Sequence, residues 1–283
     1  MKRILIVSGS RADLGLLHCP EKALREDGFN VLLMFLHGAT FQDAFAHAVS
    51  IIPQYELMLI LGDRFEILAA ATAAHLQRIP IAHIGGGDVT EGSYDDAMRD
   101  CISRMSSIHF ATSFASAARL ISKGYSSVHL VGNPDVDYIM HEKWQRDREI
   151  AEPYVVVSYQ PETIDGTTEW DKVLEAINGR RAIAVPPNPD RGSGGLHLQM
   201  ILDQKLWPNL SVWESQSHDA FLNLLFHCDE FIGNSSAIFY EAPFLKPGGV
   251  KCKLIGKRQR GRVVPWGGDG KASERIRDIL RLL

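Results

Sequence analysis

The sequence predicts two α/β domains in tandem, each a doubly wound, Rossmann-like parallel sheet. Three observations predict it. The chain has 283 residues, more than one ordinary domain needs and enough for two. Short apolar runs alternate with helix-period segments almost from end to end, the pattern of repeated βα units. The apolar runs carry Val, Ile and Leu on consecutive positions, as strands covered on both faces of a parallel sheet require.

The first domain is assigned to residues 1–145. Its strands are expected over 3–7, 31–36, 57–61, 79–84, 108–111 and 128–131, and its helices over 14–25, 41–49, 65–77, 95–106 and 114–123. Between 141 and 153 the chain becomes charged and loses its strand pattern, so the linker is placed there. The second domain is assigned to 146–270. It resumes with strands over 154–158, 181–185, 210–213 and 230–232, and helices over 168–178, 195–203, 218–227 and 236–242. A last strand is expected over 251–255. The amphipathic pattern at 274–282 ends the chain, and 271–283 is expected to pack back onto the first domain. Two such domains make a cleft between the carboxyl ends of their sheets, where open α/β sheets bind ligands.

Composition narrows the function. Hydrophobic residues make up 45% and charged residues 23%, a globular balance. The net charge of -4 argues against a nucleic-acid partner. No apolar run reaches the ~18 residues of a membrane span. The apolar start, Ile4 to Val7, is too short for a signal peptide and is closed by polar Ser8. Cys19, Cys101, Cys228 and Cys252 are dispersed and show no paired metal-ligand spacing, so no metal and a reduced, cytoplasmic protein are expected.

The loops after the strands carry the chemistry. Ser8-Gly9-Ser10-Arg11 leads into a helix whose first amides suit an anion, and Arg11 reaches for a phosphate or sugar. The loop lacks GxGxxG, so no nicotinamide cofactor is implied, and no other cofactor is expected. Asp63, in Gly62-Asp63-Arg64, is either the cap of the next helix or an acid-base group at a strand end. Gly85-Gly86-Gly87-Asp88 lets the backbone approach a ligand closely. Asp95 and Arg99 follow at i, i+4 on one helix face. His83, at a strand end, reads first as a satisfied core histidine. Gln160 lies in the loop that opens the second domain. Asn234, Ser235 and Ser236 lead into a short helix carrying Glu241: hydroxyls for a diphosphate, and an acid for a ribose. The basic tract 256–262 reads as a solvated charged loop.

In order along the chain, SGSRADLGLL, LGDRFE, HIGGGD with TEG, DxxxR, SxxHF, VGNP, GNSSAIFYEAP and IGKRQRGR resemble the hydrolysing UDP-N-acetylglucosamine 2-epimerases. The resemblance spans Ser8 to Arg262. It implies a GT-B architecture without metal, and a UDP-sugar substrate such as UDP-GlcNAc. UDP would be eliminated to leave a 2-acetamidoglucal, and water would add to give N-acetylmannosamine, the entry to sialic-acid pathways. It implies Asp63, Asp88 and Asp95 as the carboxylates, with Arg99 positioning one of them. It also implies that Arg11, Gln160, Asn234, Ser235, Ser236 and Glu241 hold UDP, and that the protein is a homodimer. Two departures stand out. Asp88 stands where the family usually has Glu, and Gln160 precedes Pro161 where the family usually has His. The connection over 37–52 is also shorter than in relatives. Two alternatives remain: a GT-B glycosyltransferase acting on another acceptor, and a non-catalytic UDP-sugar binder.

Overall fold

The computed structural model describes residues 2–9, 11–36, 40–144, 146–188, 192–214 and 217–283, with the side chains of Arg11 and Ala12 left aside. The chain divides into two compact units. Unit 1 comprises Met1–Val89, Asp95–Glu142 and Val263–Leu283; unit 2 comprises Thr90–Tyr94 and Lys143–Arg262.

Unit 1 runs β1 (Arg3–Ser8), α1 (Arg11–Glu26), β2 (Asn30–Phe35), α2 (Phe41–Ile51), β3 (Leu57–Leu61), α3 (Phe65–Leu76), β4 (Ile81–Ile84), α4 (Asp95–Met105), β5 (Ile108–Ala111), α5 (Phe114–Ser122), β6 (Val128–Leu130) and α6 (Pro134–His141). Its sheet is parallel in the order β2-β1-β3-β4-β5-β6. Successive strand residues point to opposite faces, and the core follows that period. Leu5, Val7, Met58 and Ile60 pack with Ala44, Ala48 and the α3 alanines on one side. Ile4, Ile6, Leu57 and Leu59 pack with Leu17 and Leu24 on the other. Each fully buried Ile or Leu contributes about 1.5–3 kcal/mol over leaving it in water. The helix α3 is apolar nearly all round because α2 and α4 cover its flanks.

Unit 2 runs β7 (Val155–Ser158), α7 (Trp170–Ile177), β8 (Ala182–Val185), α8 (Ser193–Leu206), β9 (Leu210–Val212), α9 (His218–His227), β10 (Glu230–Gly233), α10 (Ala237–Tyr240) and β11 (Cys252–Leu254). Its parallel sheet has the order β11-β10-β7-β8-β9. The chain then re-enters unit 1 at Val263, ahead of the expected 271, and ends in α11 (Ala272–Arg281). The Asp137 carboxylate accepts from the Ala272 and Ser273 amides at 3.0 and 2.6 Å, so α6 caps the last helix from outside its own sequence.

Three expectations need correction. The sequence reading has no helix at 134–141, yet Asn133 caps α6 and Pro134 opens it. The expected linker is partly docked: Trp144 is buried edge-on against Phe226, and the Asn223 amide donates to the Asp147 carbonyl at 3.1 Å. The helix expected over 236–242 is a single turn, with Glu241 at its carboxyl cap. No helix among the described residues is long and apolar enough to cross a membrane. All four cysteines are free, and burial pushes Cys19 and Cys228 up to about 12, which holds both as thiols.

Candidate active site

Open parallel sheets bind ligands where the strand order reverses, because adjacent loops there diverge to opposite faces. In unit 1 the reversal falls between β1 and β3, so the loop carrying Asp63 borders that crevice. In unit 2 it falls between β7 and β10, so the loops carrying Gln160 and Asn234 border that one. Asp63, Gln160 and Asn234 thus lie beside the switch point of their own unit, and Asp88 follows β4, one strand further from the reversal in unit 1.

The unit 1 cluster is organised by Arg99, which is 3% exposed on α4. One guanidinium nitrogen, Nη2, donates to Asp63 Oδ2. The other, Nη1, donates to Asp96 Oδ1 and, at 3.0 Å, to the Asp88 carbonyl. One planar fork therefore links the loop after β3, the loop after β4 and the first turn of α4. Asp63 is not a helix cap: Arg64 holds that position on α3, with no side-chain capping bond and its guanidinium on Glu66 instead. Asp96, at i, i+3, is a partner of Arg99 that the sequence reading passed over in favour of Asp95, which opens α4. The Asp88 carboxylate accepts from Thr112 Oγ1 at 2.9 Å and from Ser116 Oγ. Gly87 lets this loop close: at φ +78, a Cβ there would stand 2.4 Å from the Ser116 carbonyl oxygen. Arg11 opens α1, and its side chain lies outside the described residues.

Beneath this layer His83 is fully buried between Gly62 and Ser103. Burial lowers its pKa from 6.5 to about 4, and burial likewise lowers His109 to about 4. Both are neutral at pH 7, so neither supplies a proton there. Their shifts predict acid sensitivity. An unfolded chain protonates its histidines below pH 6.5, whereas these two resist protonation until about pH 4, so unfolding takes up protons in that window. The contribution of these two residues is full above pH 6.5 and is lost as pH drops from 6.5 towards 4, with His83 alone accounting for on the order of 3 kcal/mol. Urea midpoints measured from pH 7.5 to 4.5 should fall, and fall less steeply in a His109→Gln variant. Equal slopes would show that His109 is not the source.

In unit 2, Asn234 and Gln160 join the two switch-point strands. The Gln160 amide donates to Asn234 Oδ1 at 2.7 Å, and Asn234 Nδ2 donates back to the Gln160 carbonyl at 2.8 Å. Asn234 thus braces the two loops through its side-chain amide. Gly233 permits the approach: a Cβ there would lie 2.0 Å from the Ser158 carbonyl oxygen. The Gln160 side chain accepts from the Asn188 amide at 2.8 Å through Oε1, which leaves Nε2 as its donor end. Ser235 Oγ accepts from the Ala237 amide at 3.3 Å, and Ser236 is the amino cap of the single turn α10. So short a helix adds little dipole, and anion binding there depends on hydroxyls and individual amides.

The basic tract is only in part the solvated loop the sequence suggests: Lys257 and Arg260 are exposed, and the arginines on either side of Arg260 are engaged by the protein. Arg258 is buried and donates to the Pro161 carbonyl at 3.1 Å. Arg262 donates to Thr90 Oγ1 at 2.6 Å and lies over the Tyr240 ring. The buried Glu162 carboxylate accepts the Lys257 and Arg258 amides at 2.7 and 3.1 Å. Arg262 on Thr90, the Gln259 amide on the Glu91 carbonyl at 3.1 Å and the Thr163 amide on the Gly92 carbonyl at 3.2 Å hold the segment Thr90–Tyr94, which belongs to unit 2.

Two parallel doubly wound units of this kind place the chain among proteins of GT-B-like fold. A family model described as UDP-N-acetylglucosamine 2-epimerase matches residues 39–267, and the chain belongs to that family of enzymes. It is 27% identical over 324 aligned residues to the polysialic acid biosynthesis protein P7 of Escherichia coli, covering 93% of this chain and 81% of that protein. It is 26% identical over 314 residues to a UDP-N-acetylglucosamine 2-epimerase of Neisseria meningitidis serogroup B, with the same coverage. It is 27% identical over 249 residues to a Campylobacter jejuni protein named as a hydrolysing GDP/UDP-N,N'-diacetylbacillosamine 2-epimerase, covering 81% of this chain and 62% of that one. Among solved structures, the fold matches the Methanocaldococcus jannaschii UDP-GlcNAc 2-epimerase in complex with UDP-GlcNAc and UDP. The TM-score is 0.85 at 17% identity, covering 99% of this chain and all of that one.

Proposed function

We propose that the chain is a hydrolysing UDP-GlcNAc 2-epimerase. The observation that carries the reading is the buried Arg99, whose guanidinium holds the Asp63 and Asp96 carboxylates and the Asp88 carbonyl, with Asp63 beside the unit 1 switch point. A carboxylate takes the C2 proton, the C1–O bond to UDP breaks, and the electron pair becomes the C1=C2 bond of a 2-acetamidoglucal. Water then adds its oxygen to C1 while a proton returns to C2 on the opposite face, giving N-acetylmannosamine. Proton traffic on two faces calls for two acid-base groups, and Asp63, Asp88 and Asp95 are the candidates. Arg11, Gln160 through Nε2, Asn234, Ser235, Ser236 and Glu241 are assigned to UDP.

Incubation with UDP-GlcNAc in D2O tests the reading. Free UDP and N-acetylmannosamine deuterated at C2 are expected. UDP-N-acetylmannosamine as the product would exclude hydrolysis, and UDP release only with an added sugar acceptor would indicate a transferase. Turnover of UDP-N,N'-diacetylbacillosamine in place of UDP-GlcNAc would move the substrate towards that of the Campylobacter relative.

Gln160 gives a second expectation. A neutral amide donates to a phosphate as well as an imidazole does but cannot titrate near neutral pH. The pH–rate profile should lack a limb belonging to this position, and Gln160→His should leave kcat/KM within about an order of magnitude. An inactive native chain rescued by Gln160→His would sink the reading.

A further inference from the structure

We propose that His83 is a positioning residue for Asp63, holding the Gly62 carbonyl through Nε2 while Ser103 fixes the imidazole by its Nδ1. The positioning role rests on Asp63 being catalytic, as proposed; the hold of His83 on the loop stands on geometry alone.

His83 is the third residue of β4, two after Ile81, and so faces the α3 and α4 side of the sheet. Its Nε2 lies 2.8 Å from the Gly62 carbonyl oxygen and its Nδ1 lies 3.0 Å from Ser103 Oγ. A carbonyl only accepts, so Nε2 must carry the proton. Nδ1 of the neutral ring must then accept, so Ser103 donates. The other side of the Gly62 peptide is also tied to β4, for the Gly62 amide donates to the Ile84 carbonyl at 3.2 Å. Gly62 sits at φ +87, a conformation that favours glycine and that hydrogen bonds on both sides hold in place. Asp63 is the next residue, and its carboxylate meets Arg99.

The same ring reaches the other parts of the cluster. Ser103 is one turn beyond Arg99 on α4. A Cβ on Gly86 would lie 2.9 Å from Ser103 Oγ and 3.1 Å from His83 Nδ1, so the glycine run before Asp88 packs directly on this pair. The His83–Ser103 pair therefore underlies the loop of Asp63, the loop of Asp88 and the helix of Arg99. A histidine that merely filled core volume would not direct both ring nitrogens to the scaffold of one site.

Three variants separate positioning from plain packing. A Gln side chain can put its amide nitrogen near the place of Nε2, whereas Asn reaches only about as far as Nδ1. His83→Asn should lower kcat by roughly tenfold to a hundredfold, with UDP affinity unchanged, because a displacement of about 1 Å at the reacting group costs that much. His83→Gln should recover most of that loss. Ser103→Ala should lower kcat in the native background and add nothing in the His83→Gln background, where no tautomer needs fixing. Amide hydrogen exchange of residues 62–68, read by mass spectrometry, should quicken in His83→Asn and stay near native in His83→Gln. Equal losses in both His83 variants that track their melting temperatures would overturn the proposal, as would unchanged exchange in His83→Asn. If the native chain turns over no UDP-sugar, the functional reading fails, and the exchange measurement still decides whether His83 holds the loop.

Discussion

Asp63→Asn is expected to abolish turnover while leaving UDP affinity and the fold intact. The substitution is nearly isosteric and keeps an oxygen that can accept from Arg99 Nη2. Arg99 also keeps Asp96 and the Asp88 carbonyl, so the buried guanidinium retains a charge partner. What is lost is the capacity to take or return a proton. General acid-base groups typically contribute 10²–10⁴-fold, so a fall in kcat of about that size is expected. A group that acts only in the transition state lowers kcat and kcat/KM together, whereas one that binds ground-state substrate raises KM. Steady-state kinetics with UDP-GlcNAc, calorimetric UDP binding and a melting curve check the three parts. Near-native kcat would remove Asp63 from the proton chemistry. A large loss of melting temperature would make it a structural partner of Arg99.

The elements were legible in the sequence where burial set the pattern. The strands of unit 1 lie covered on both faces, so their apolar runs stand out. The helix α6 was missed because VGNP reads as a turn, yet Asn-Pro followed by Asp135 and Asp137 is also an amino-terminal helix signature. Asp63, Asp88 and Arg99 could be named because acids and an arginine after apolar strands are conspicuous. Their connections could not, because Arg99 joins residues 36 and 11 positions away and Thr112 and Ser116 reach Asp88 from another strand and helix. Tertiary bonds of that kind leave no period in a sequence. Within the basic tract, Arg258 differs from its exposed neighbours Lys257 and Arg260 for the same reason: its guanidinium is taken up by the Pro161 carbonyl, a bond that no sequence spacing announces. That the Asn234 amide spans two loops follows only from the register of β7 beside β10, which the sequence does not print.

Arg99→Lys should cost nearly as much rate as loss of a carboxylate, although the charge is conserved. Guanidinium offers donors on two nitrogens held in one plane, and Arg99 uses both, Nη2 to Asp63 and Nη1 to Asp96 and the Asp88 carbonyl. An ammonium is a single point of charge on a flexible stem and can sit against one acid or lie between them, but cannot hold each in its own direction. With two acids free to shift by about 1 Å, kcat should fall on the order of 10²-fold. Arg99→Met tests the charge itself. Breaking a fully buried pair typically costs about 3–5 kcal/mol. Here Asp63 and Asp96 are 19% and 38% exposed and can recover water, so the loss should lie at or below the lower end of that range. The two substitutions thus separate by readout: Lys loses rate with modest loss of stability, and Met loses both. Combining Arg99→Lys with Asp63→Asn should cost little more rate than Asp63→Asn alone, because residues acting as one unit are not additive. Losses that simply multiply would mean that Arg99 and Asp63 act independently, and would take Arg99 out of the role of holding that carboxylate.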